Sequence, residues 1–130
     1  MKIIYSIALL LLAAAMTLPA QTTIPPLDGL KLFNQYCAAC HGASATGGGP
    51  VAPALKMKVP DLTLIARRNR GEFPLDRVQT MIAGGKLTGL SHGAREMPVW
   101  GPIFSQDISD RDYGKLRLYN VAKYLEGLRK

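Results

Sequence analysis

A chain of 130 residues is long enough for one domain with a core of its own. It carries 16 Lys and Arg against 9 Asp and Glu, a formal charge of +7. The basic residues are dispersed, with Arg67-Arg68-Asn69-Arg70 the single dense cluster, so the charge argues against nucleic acid and for docking to acidic partners.

The first twenty residues do not belong to that domain. Met1-Lys2 is a short basic start, Ile3 to Leu18 is almost wholly apolar, and Pro19-Ala20 precedes the polar Gln21-Thr22-Thr23. This is the pattern of a secretory signal peptide over 1–20, cut after Ala20. The apolar run is short for a spanning helix, so membrane association follows only if the leader is kept as an anchor. Export would carry the rest of the chain into an oxidising compartment, read here as a periplasm. Residues 21–27 contain Pro25-Pro26 and read as an extended arm, and 28–130 as the domain.

Asp28 is a good N-cap, and Leu30, Phe33 and Cys37 recur at helical spacing, with Leu32 and Tyr36 alongside. The helix ends at Gly42, just after Cys37-Ala38-Ala39-Cys40-His41. That run is C-x-x-C-H, the attachment signature of c-type haem. Two thiols three residues apart on one helical turn can each add across a porphyrin vinyl group, and the next residue can turn its imidazole onto the iron. Competing readings explain less. A zinc site needs four ligands, the chain holds two cysteines and two histidines in all, and His92 is distant in sequence. A thioredoxin-like pair needs a strand–helix context that the sequence lacks. A structural disulfide would leave His41 without a role.

Gly42 to Pro60 holds Gly47-Gly48-Gly49-Pro50, Pro53 and Pro60, too punctuated for regular structure. A loop this long in a small domain needs a functional reason, and wrapping a planar cofactor is one. A linker is the alternative, and Met57 within it reads as filler. Asp61 caps a short helix closed near Gly71, with the arginine cluster as its solvated end. Pro74 to Ala83 reads as another, stopped by Gly84-Gly85, with Leu75, Val78, Met81 and Ile82 on one apolar stripe. Lys86 to Pro102 is a second irregular stretch, holding His92 and Met97-Pro98-Val99-Trp100-Gly101, and Asp107 to Asp112 is an acidic turn. A last helix runs from about Tyr113 to Leu128, with Leu118, Val121, Ala122, Leu125 and Leu128 on its core side and basic residues on its other faces. No strand-length alternation appears. The expected class is all-α, with four or five short helices.

With these residues in place, nearly all of the chain after the leader resembles a bacterial monohaem class I c-type cytochrome. The resemblance rests on Gly29, Phe33, Cys37, Cys40 and His41 in the first helix and on Val121, Tyr124 and Leu125 in the last. It implies that the terminal helices cross, with Gly29 admitting the other helix. It implies one covalent haem c held by Cys37 and Cys40, with His41 and Met97 as axial ligands to the iron, Met97-Pro98 being similar to the family's methionine loop. His92 and Met81 remain competing ligands. Gly49-Pro50 resembles the element whose proline carbonyl accepts the ligand histidine's other N–H, with Pro53 as the alternative. Trp100 is expected either against the haem or as an ordinary buried aromatic. The function implied is one-electron transfer, not enzyme catalysis, by a soluble carrier or by the cytochrome subunit of a respiratory or dehydrogenase complex. Its partners would be redox proteins, acidic or membrane-bound. The alternative is a haem enzyme or gas sensor with an open axial position.

Overall fold

In the computed structural model, residues 28–85, 97–106 and 111–130 are described. The leader, the arm at 21–27, His92 and most of the acidic turn lie outside them. The described residues form six α-helical segments and two 3-10 turns, with no strand. In chain order these are α1 (Gly29–Tyr36), α2 (Ala38–His41), turns at Ala52–Ala54 and Leu62–Leu64, α3 (Ile65–Arg68), α4 (Leu75–Ala83), α5 (Trp100–Ser105) and α6 (Arg111–Gly127). The class is all-α, as expected. No described helix is long and apolar enough to cross a membrane.

α1 begins where the sequence places its cap. The Asp28 carboxylate accepts from the Leu30 and Lys31 amides at 2.9 and 3.4 Å, partnering donors that have none inside a helix. Its buried face is shifted from the one expected. Leu32 and Phe33 are enclosed and Cys37 nearly so, while Leu30 is exposed. The helix also breaks at Cys37, which caps α1 and opens α2. Gly42, at φ 74, then ends α2, in a region open to glycine at little cost.

The crossing of α1 and α6 decides the architecture. A Cβ on Gly29 would lie 2.9 Å from the Asn120 carbonyl carbon and 2.9 Å from the Tyr124 Cβ, so only a residue without a side chain fits. Phe33 packs on Tyr124 beside it, ring centroids 5.3 Å apart. Val121, Ala122 and Leu125 complete the buried face of α6.

Two elements differ from expectation. Trp100-Gly101-Pro102, expected to belong to an irregular stretch that runs to Pro102, instead opens α5. Proline is tolerated there, since amides of a first turn have no helical partner to lose. The polar side of α6 is also interrupted. Arg117, expected on an outer face with the other basic residues, is 1% exposed and belongs to the core.

The 42–60 segment is not a loose linker. The helix-end carbonyls of α2 need partners, and this segment supplies them. Gly47, Gly49 and Val51 donate their amides to the carbonyls of His41, Cys40 and Ala39 at 2.8, 3.1 and 2.9 Å. The chain is thereby laid back along the helix that carries the motif.

Candidate haem site

Cys37, Cys40 and His41 sit on the single turn that follows the break in α1. The Cys37 carbonyl accepts from the amides of Cys40 and His41 at 3.1 and 2.9 Å, which holds the turn closed. Both cysteines are free thiols. Cys37 is buried and Cys40 half-buried. Burial, reinforced by the charge of Cys40, pushes the Cys37 thiol up to about 12, so it stays protonated in the protein without a ligand.

His41 carries the most informative atom of the site. Its Nδ1 is buried and has no hydrogen-bond partner among the described residues, a rare condition for a polar atom in a folded protein. Burial holds the imidazole below its ordinary pKa, while the nearby Pro60 carbonyl acts in the opposite direction. That carbonyl approaches the ring without closing a hydrogen bond to Nδ1. A neutral imidazole is the form that ligates a metal. Pro50 stands exposed at the start of the Ala52–Ala54 turn, as does Pro53.

Met97 is half-buried and packs against the core. Trp100, three residues on, lies 5.4 Å from the Tyr36 ring, edge to face. Phe104 lies 5.1 Å from Tyr36 and 6.2 Å from Trp100. Because Tyr36 directly precedes Cys37, these three rings bring the exit of the methionine loop and the entry of the thiol motif into one cluster. Trp100 is thus a member of an aromatic cluster. Met81 lies half-buried on α4, and Met57 is exposed. His92 lies outside the described residues.

The sequence pattern points to neither Pro60 nor Arg117. Pro60 could be found only from the path of the loop. Arg117 had a signal, since it lies four residues before Val121 and seven before Tyr124, on the same helical stripe.

The donor set fits a haem. Two thiols lie on one turn, one of them accessible, beside a neutral imidazole with a buried ring nitrogen that lacks a partner. Among the described residues, no group of three or more His, Cys, Asp or Glu side chains could hold a metal ion by itself. A porphyrin brings four nitrogens of its own.

A scan of protein families matches residues 25–119 to the family described as Cytochrome C oxidase, cbb3-type, subunit III. Searches of curated proteins and of solved structures returned no match. The matched span runs from the arm before α1 through about half of α6 and takes in Cys37, Cys40, His41 and Met97. The chain therefore belongs to the Cytochrome C oxidase, cbb3-type, subunit III family, as a class I c-type cytochrome that binds haem c and transfers electrons.

Proposed function

We propose that this protein is an exported one-electron carrier with a single haem, held covalently by Cys37 and Cys40 and ligated by His41 and Met97. The observation that carries this reading is the partnerless, buried Nδ1 of His41 beside two free thiols on one turn. When bound, a haem supplies one-electron chemistry, its iron passing between ferrous and ferric forms.

The protein's own residues do the rest. Cys37 and Cys40 hold the group in place by covalent bonds. His41 offers a neutral imidazole, and the Pro60 carbonyl beside it joins Pro50 as a candidate acceptor for the ring's second nitrogen. An acceptor there fixes the ring and raises its basicity. Pro98 fixes one backbone dihedral directly after Met97, limiting how far the loop relaxes. Tyr36, Trp100 and Phe104 exclude water between the two halves of the site. A neutral Met97 thioether, as the second group holding the iron, would favour its reduced form and raise the potential. Held by His41 and Met97 together, the metal would have no position left for a substrate.

The leader-like segment supports export, and a periplasmic location with it. The family description supports a respiratory complex as the partner, and the dispersed basic surface supports an acidic docking face. Oxidised and reduced absorption spectra of the haem-loaded protein and of Met97→Ala test the ligation. The expected result is a far-red sulfur-to-iron band in the oxidised protein that the substitution removes. A band that survives in Met97→Ala overturns the assignment and moves it to Met81, and its absence from the unsubstituted protein moves it to His92.

A further inference from the structure

Arg117 heads the large side chains that the protein encloses completely, and electron transfer as described above makes no use of it. Its Nη1 donates to the Phe104 carbonyl at 2.9 Å, and its guanidinium carbon lies 5.5 Å from the Tyr113 ring centroid. Its Nε and Nη2 have no hydrogen-bond partner among the described residues. Enclosing a cation with unsatisfied donors is less favourable than filling the same volume with an apolar side chain. Packing alone therefore does not account for an arginine here.

The accepting carbonyl explains the choice. Phe104 lies in the last turn of α5, where carbonyls have no helical partner and a cation complements the helix dipole. α5 is six residues long, too short to hold its shape unaided. Its position must be imposed from outside. At its far end, a Cβ on Gly101 would lie 2.8 Å from the Ala83 carbonyl oxygen, so that end already rests on α4. Val99 packs on Gly84, its Cβ 3.0 Å from where a glycine Cβ would stand. Between these contacts and Arg117 the short helix is a rod, and Met97 is three residues from its start.

We infer that Arg117 is a positioning residue for Met97. It fastens the end of α5 to α6 and so sets the resting place of the Met97-Pro98-Val99 segment. The inference rests on Met97 being the axial ligand. Losing the guanidinium removes the side-chain hydrogen bond between α5 and α6, leaves α5 held by α4, by the Tyr36 ring and by the packing of Ser105 on Gly114, and frees the methionine to leave more often, while the crossing of α1 and α6 stays intact.

The test uses the full chain, exported and loaded with haem, as wild type, Arg117→Met, Arg117→Lys and Met97→Ala. Two quantities are read. One is the rate at which carbon monoxide binds the reduced protein. The other is the guanidinium midpoint of the far-red band set against that of the far-ultraviolet helix signal. For Arg117→Met, carbon monoxide binds about tenfold faster or more, the effect of losing one buried charged hydrogen bond. Its far-red band also disappears at a lower guanidinium concentration than its helix signal. Arg117→Lys, which keeps a cation, falls between it and wild type. If Arg117→Met does not accumulate, Arg117→Lys decides on the same readouts. Midpoints that fall together with an unchanged carbon monoxide rate overturn the inference and leave Arg117 a general core residue. A wild type without the far-red band, or one whose band survives in Met97→Ala, overturns the ligand assignment itself, and the inference with it.

Discussion

The two sides of the proposed haem site, the His41 side and the Met97 side, are built by different means. The histidine side is held by backbone. Amides of Gly47, Gly49 and Val51 bond to the carbonyls of the very turn that bears Cys40 and His41, over a short stretch of sequence. The methionine side is held by side chains from distant parts of the chain. Tyr36, Phe104 and Arg117 meet around α5, and no described backbone bond ties Met97-Pro98-Val99 to the motif. A locally bonded ligand is difficult to displace without unfolding its own helix. A ligand placed by remote packing can be released while the rest of the fold persists. A cytochrome built this way should lose methionine before it loses histidine while its terminal helices stay crossed.

Substitutions at each side sharpen this contrast. The largest effect belongs to the backbone-held side: Cys37→Ser with Cys40→Ser should yield a protein from which acidified acetone removes all pigment, measured by absorbance of the extract. Next, Phe104→Ala should destabilise by about 3–5 kcal/mol, as expected for a fully buried aromatic. Its far-red band should disappear well before its far-ultraviolet helix signal in a denaturant titration. Gly29→Ala breaks neither side directly but forces apart the helices that join them. Overpacking of this kind costs about 1–3 kcal/mol, and both ligands should be lost together in guanidinium. Asp28→Ala removes only the cap of α1, lowering stability by about 1 kcal/mol with the order of ligand loss unchanged.

The smallest effect is one of pH. The hydroxyl of buried Thr63 donates to the Asp61 carboxylate at 2.6 Å, and this bond, with the Thr63 amide and nearby cations, holds Asp61 below its ordinary 3.8. A carboxyl whose folded pKa is depressed contributes stability that is present above the unfolded value and lost as pH falls through the folded one. The thermal midpoint should therefore fall below about pH 4, and Asp61→Asn should flatten that limb while leaving neutral pH behaviour similar.

Much of the histidine side is legible in the sequence. Asp28 as a cap, Gly42 as a stop and C-x-x-C-H between them are local signals, and local signals suffice where local bonds do the holding. The terminal crossing is also legible, through the family resemblance that Gly29, Phe33 and Tyr124 carry. The methionine side is not. Trp100-Gly101-Pro102 reads as a breaker, and only its place in a first turn makes it a helix start. Arg117 reads as surface because charge usually means solvent, and its chemistry outweighs its helical phase with Val121. The approach of the Pro60 carbonyl to His41 depends on how a 19-residue segment folds back, which spacing does not encode. The break at Cys37 likewise leaves no mark in the periodicity.

The central claim is tested most directly by the intact mass of the exported protein after extraction with acidified acetone. The account predicts one species whose mass equals the processed chain plus a single haem, with peptide mapping placing the addition on the fragment that contains Cys37 and Cys40. A chain of bare polypeptide mass, with its pigment in the extract, would contradict it.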